Sequence, residues 1–111
     1  MDLMTSLEIP AGVTIGNYVF TDCTSLEHLK VDVSSFDPSV FHGATSLVSL
    51  TIGTNVKSMW NIIGTSGTNY FPALKEINYE GTIAQWESVS KNDEWNKYIV
   101  HCTDGDITPA N

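Results

Sequence analysis

The chain contains no arginine. Its 5 basic residues, all lysine, face 13 acidic ones, for a formal net charge of −8. Phosphate binding relies on clustered cations, so this balance argues against nucleic acid and equally against anionic membrane surfaces. The charge serves solubility, or it meets a cationic partner. Long apolar runs are also missing, and none approaches the ~18 residues needed to cross a bilayer. Met1-Asp2-Leu3-Met4 has neither the basic start nor the apolar stretch of a signal peptide. Two cysteines, Cys23 and Cys102, make no disulfide framework.

Motifs for chemistry are equally scarce. His28, His42 and His101 are the only histidines, and no His-x-x-x-His or Cys-x-x-Cys spacing accompanies them. Asp104-Gly105-Asp106 hints at calcium, yet the further acidic ligands and distal Glu of an EF-hand loop are absent, so it reads as a turn. Asp22, Asp32 and Asp37 read as turn formers and caps. No Gly-x-Ser-x-Gly occurs, and Gly64 and Gly67 lack the lysine of a phosphate-cradling loop. The sequence therefore points to no enzyme, no cofactor and no metal.

What is present is repetition. Met4-Thr-Ser-Leu7-Glu-Ile9, Leu26-Glu-His-Leu29-Lys-Val31 and Leu47-Val-Ser-Leu50-Thr-Ile52 share the pattern apolar-x-x-apolar-x-apolar. Leu74-Lys-Glu-Ile77-Asn-Tyr79 is a looser copy. A period of roughly 21 to 27 residues is the mark of a solenoid, in which each unit buries its apolar face only against its neighbours. The expected fold is mainly β: a leucine-rich-repeat coil of parallel strands, right-handed, with one short C-terminal helix and a cap. It forms one domain over 1–111, with repeats at about 4–23, 24–44 and 45–73, a cap at about 74–107 and a tail at 108–111.

Each unit has further register. A turn follows the strand, then a second apolar pair: Val13 with Ile15, Val33 with Phe36, Val56 with Met59. Phe20 and Phe41 come five residues after Ile15 and Phe36, and Asp37 before Pro38 places this aromatic on a short helical turn. Cys23 and Ala44 mark a small buried slot. Cys102 lies about three coils from Cys23, and at ~4.8 Å per coil that exceeds the ~7 Å Cα limit for a bridge. The third unit departs, with Gly64 where the aromatic belongs, a protruding 64–69 loop, and Tyr70-Phe71 only just before Leu74. Thr82 and Gln85 form a capping box for a helix over about 83–90, and 102–107 reads as a closing strand or turn. The chain enters its first motif with no polar cap, so it reads as part of a longer protein.

Thr24-Ser-Leu-Glu-His-Leu-Lys-Val31 and Ile15-Gly-Asn-Tyr-Val-Phe-Thr-Asp-Cys23 resemble the BspA-like class of leucine-rich repeat. The stretch from Ile77 through Trp86 and Trp95 to Gly105 is similar to the terminal unit that closes many such arrays. The resemblance implies a secreted or surface-attached protein that binds host or partner proteins and has no catalytic residues.

Strand alternation places Ser6, His28, Ser49 and Glu76 in one outward column, and Glu8, Lys30, Thr51 and Asn78 in the next. This strip is the expected partner-binding face, with Trp60, pointing outward after the inward Met59, as a candidate anchor. Trp86 and Trp95 either cover the last coil or act as sugar-stacking platforms. The expected function is protein interaction or adhesion at a cell surface, with a host extracellular protein as one candidate partner. Edge-to-edge self-association through the first strand is a further possibility. The rival readings are a purely structural end-cap and, less favoured, a hydrolase or inhibitor built on the scaffold.

Overall fold

The computed structural model describes residues 5–10, 20–21, 24–36, 41–42, 44–60, 70–91 and 93–108. Each motif copy ends in an x-apolar-x-apolar segment, and such alternation suits a strand with one buried face. The four segments form β1 (Ser6–Ile9), β3 (His28–Val31), β6 (Ser49–Ile52) and β8 (Glu76–Tyr79). They pair in parallel and in register: Leu7 with Leu29, Leu29 with Leu50, Leu50 with Ile77. Ile9, Val31, Ile52 and Tyr79 line up the same way. Leu29, Leu50, Ile77 and the whole Ile9 column are buried, whereas Leu7 is half-buried. The expected columns are therefore present, and the first thins out at its β1 end.

Two shorter parallel ladders run beside this sheet. One joins β2 (Phe20–Thr21) to β5 (Phe41–His42), and the other joins β4 (Ser35–Phe36) to β7 (Ser58–Met59). Phe20 and Phe41 thus lie on paired strands, not on the helical turn expected for them. Pairing between successive copies satisfies backbone groups that a lone helical turn would leave open, and aromatics favour such extended positions. The Asp37-Pro38 cap falls outside the described residues, as do Met4, Val13, Ile15, Asp22, Cys23 and loop 64–69.

The slot before each motif is not uniformly small. Ala44 is fully buried, but the equivalent position in the next copy holds Phe71, also fully buried. Its ring stacks on Phe36 at 6.5 Å between centroids and 7° between planes. The late aromatic of the third unit thus fills the interior from a different position.

The chain after Tyr79 rejoins the sheet. Helix α1 (Ile83–Ser88) starts at the Thr82–Gln85 capping box, with Thr82 Oγ1 accepting from Gln85 N at 3.2 Å and Gln85 Oε1 from Thr82 N at 2.8 Å. It ends at Val89, and a 3-10 turn, Asp93–Lys97, follows. Then β9 (Ile99–Cys102) adds a fifth parallel strand, matching Ile77 with Val100, and β10 (Gly105–Ile107) folds back antiparallel on β9. The sheet order is β1-β3-β6-β8-β9-β10. No motif copy follows residues 74–79 in the sequence, yet the parallel ladder continues into β9. The fold is mainly β, with a mostly parallel sheet and one short helix.

One link between copies has a measurable consequence. The Asp32 carboxylate accepts from Asn55 N at 3.0 Å and Asn55 Nδ2 at 2.8 Å, holding the turn of the next copy. Gly53 leaves room for it: a Cβ there would sit 2.0 Å from Asp32 Oδ1 and 2.9 Å from its Cβ. Gly53→Ala must displace the whole Asp32 side chain, with an expected cost of about 1–3 kcal/mol. In an Asp32→Gly background, which removes every atom of that side chain, the same change should cost much less. Urea denaturation of the two single mutants and the double mutant checks this, and strictly additive losses would refute the clash.

Candidate interaction surface

Outward side chains of the main sheet stand in the two expected columns. Ser6, His28, Ser49 and Glu76 are successive partners, as are Glu8, Lys30, Thr51 and Asn78. All are exposed or half-exposed. Strand β9 extends both columns, placing Ile99 beside Glu76 and His101 beside Asn78. Sequence reasoning missed these two, because Tyr98-Ile99-Val100-His101 does not repeat the motif. The signal available was spacing: Val100 follows Ile77 by 100 − 77 = 23 residues, inside the repeat period.

The strip is held by its own polar contacts. Asn78 Nδ2 donates to Ser49 Oγ at 3.2 Å. Lys30 Nζ lies 3.0 Å from Glu80 Oε2, and its pKa is raised by that hydrogen bond and charge. His101 bridges three strands: Nδ1 lies 2.9 Å from Asp106 Oδ1 on β10, and Nε2 lies 3.4 Å from Glu76 Oε2 on β8. At the β1 end, Ser6, Glu8, His28, Lys30 and Thr51, with Leu7 and Leu29, line an open depression of 220 Å³. The surface is shallow, polar and of mixed charge, suited to an extended contact and not to enclosing a small molecule.

His101 makes the strip sensitive to pH. The Asp106 hydrogen bond is the largest influence raising its pKa above the ordinary 6.5, with Glu76 adding to it. A raised folded-state pKa means that the contribution to stability is fully present below the unfolded value and is lost as pH rises through the folded one. Stability should therefore fall from about pH 6.5 upward. Asp106→Asn should flatten that part of the profile. Thermal melts of both proteins across this range test it, and identical slopes would remove His101 as the cause.

Trp60 stands elsewhere. It follows β7, on the β4–β7 ladder, and is not part of the six-stranded sheet. At 62% exposure it does point outward, as expected from the inward Met59. Trp86 and Trp95 are buried, which gives them packing roles and leaves neither ring open for a ligand. Trp86 meets Tyr79 edge-on at 5.3 Å, and Lys91 Nζ lies 4.7 Å above the Trp86 ring while donating to the carbonyls of Trp86 and Val89. Burial lowers the Lys91 pKa and raises those of Tyr79 and Cys102. The Cys102 thiol is free.

Asp104 lies in the turn after β9, whereas Gly105 and Asp106 already belong to β10 and not to the turn expected for them, and both carboxylates are in use. Asp104 Oδ1 accepts from Ile83 N at 2.8 Å, at the start of α1, and Asp106 holds His101. Among the described residues, no group of His, Cys, Asp and Glu is arranged to hold a metal ion. No described helix is long and apolar enough to cross a membrane. No family model, curated protein or solved structure matches this chain.

Proposed function

We propose that the chain is a leucine-rich-repeat solenoid of the BspA-like kind, ending in a terminal capping unit. It acts as a protein-interaction or adhesion module at a cell surface or outside the cell, with no chemistry of its own. The observation that carries this reading is the register of the main sheet, where equal motif positions stand in straight outward columns across four parallel strands and β9 extends them. Extended faces of this kind are what repeat proteins present to partners. The strip holds few large apolar groups, so its affinity comes from area and polar complementarity more than from one anchor.

The test starts from a pull-down with extracellular-matrix and serum proteins. His28→Glu with Lys30→Glu adds negative charge to the strip near its β1 end and should weaken capture at least tenfold. If capture is unchanged, while a substitution on the opposite side of the molecule abolishes it, the strand face is not the site.

A second reading is a structural end-cap that binds nothing. Burial of Trp86 against Tyr79 and of Trp95 beside Phe36 favours it. At the other end β1 closes the sheet order, and among the described residues no strand pairs with its outer edge. Self-association through that edge is part of the interaction reading and not of the end-cap one. It predicts a sedimentation coefficient that rises with protein concentration.

A further inference from the structure

We propose that Trp60 and the serine row beside it form a binding platform for a neutral pyranose sugar. This surface is separate from the strand strip, so the proposal does not rest on the function argued above.

The geometry begins with how Trp60 is held. Its backbone N–H donates to the Phe36 carbonyl at 2.9 Å, and its carbonyl accepts from the buried Trp95 indole at 2.9 Å. Its own indole Nε1 donates to Ser35 Oγ at 3.2 Å. The backbone is thus held at two points and the ring at one, through Nε1, while the residue remains 62% exposed. A large ring fixed before binding loses little rotamer freedom when a ligand stacks on it.

The neighbouring chemistry is hydroxyl. Ser35 pairs with Ser58 across the ladder, and Ser58 bridges in parallel to Ser90. Ser58 Oγ donates to Ser35 Oγ at 3.3 Å. Ser35 Oγ accepts from both Trp60 and Ser58, which leaves its own proton to donate outward. A row of groups that both donate and accept suits a ligand made of hydroxyls. The C–H face of a pyranose carries slight positive charge and stacks on the negative face of an indole.

Charge and isolation narrow the ligand. The described residues of this ladder, 33–36, 56–60 and 89–91, include no carboxylate to pair with a cationic side chain. Those segments carry Lys57 and Lys91, but Lys91 Nζ is engaged by the Trp86 and Val89 carbonyls, and the net charge of −8 disfavours an anionic sugar at longer range. Protein anchors sit among apolar neighbours that exclude water. Among the described residues the other exposed large hydrophobic, Ile99, lies on the main sheet and not on the Trp60 ladder. A neutral hexopyranose meets each condition.

The experiment titrates the protein with cellohexaose, maltohexaose, laminarihexaose and mannohexaose, each to about 10 mM, the range for one stacked ring and a few hydrogen bonds. Trp60 is the exposed indole and Trp86 and Trp95 are buried, so intrinsic fluorescence reads the site directly. The expected result is a shift to shorter wavelength and less acrylamide quenching with at least one of the four. Trp60→Ala should abolish binding, and Ser35→Ala should weaken it several-fold. Trp60→Ala keeps the backbone carbonyl that accepts from Trp95. If it nonetheless unfolds, Trp60→Phe replaces it and should bind several-fold more weakly, read by calorimetry. No response to any of the four sugars, or binding undiminished by the Trp60 substitution, overturns the proposal. His28→Glu with Lys30→Glu should leave sugar binding unchanged, and a loss there would place the sugar on the strand strip.

Discussion

Trp95→Ala should lower the free energy of unfolding by about 3–5 kcal/mol. The residue is fully buried, its ring centroid is 6.4 Å from that of Phe36, and its indole N–H reaches the Trp60 carbonyl. Truncation therefore removes the apolar transfer energy of an indole, opens a cavity beside Phe36, and leaves a carbonyl without its donor. A domain of this size has roughly 5–15 kcal/mol in hand, so one side chain accounts for much of the margin. Trp95→Phe separates the terms. It keeps an aromatic against Phe36 but loses the hydrogen bond, so it should cost about 1–3 kcal/mol. Chemical denaturation measures both. A loss within ~0.5 kcal/mol for Trp95→Ala is the size expected of a featureless surface site, and would show that the indole is not packed as described.

The second large effect lies in the central column. Leu50→Ala should cost about 2–5 kcal/mol, because Leu50 is fully buried between Leu29 and Ile77 and the rigid strands on either side cannot collapse into the space. Leu7→Ala, at the half-buried end of the same column, should cost about half as much or less, since part of that side chain is already in water. The ratio is more informative than either value, because errors in the unfolded reference largely cancel between two Leu→Ala changes. Equal losses would mean that Leu7 is as enclosed as Leu50, and that the column does not end at β1.

The strand register was legible because it is local. An x-apolar-x-apolar segment can bury only one face, and a one-residue slip would expose the entire set, so Leu29, Leu50 and Ile77 had one alignment available. The capping box at Thr82 was readable for the same reason, its two partners lying three residues apart. The outward positions followed from alternation alone, which is why Ser6, His28, Ser49 and Glu76 stand as expected.

Contacts between distant segments were not readable. Tyr98-Ile99-Val100 has the composition of a strand but not the repeat motif, and its place as β9 follows from the open edge of β8, whose backbone groups must be satisfied. Phe71 entered the interior at a position held by Ala44 one copy earlier, since the space to be filled depends on where Phe36 already lies. Asp32 reads as a turn former, yet its partner is Asn55 in the next copy. The candidate surfaces divide in the same way. The column positions of the strip came from period two, whereas the separation of Trp60 from that strip, and its tie to Ser35 and Trp95, came only from how the ladders stack. Alternation is a property of neighbouring residues, and packing depends on side chains that the chain brings together from 23 to 35 positions apart.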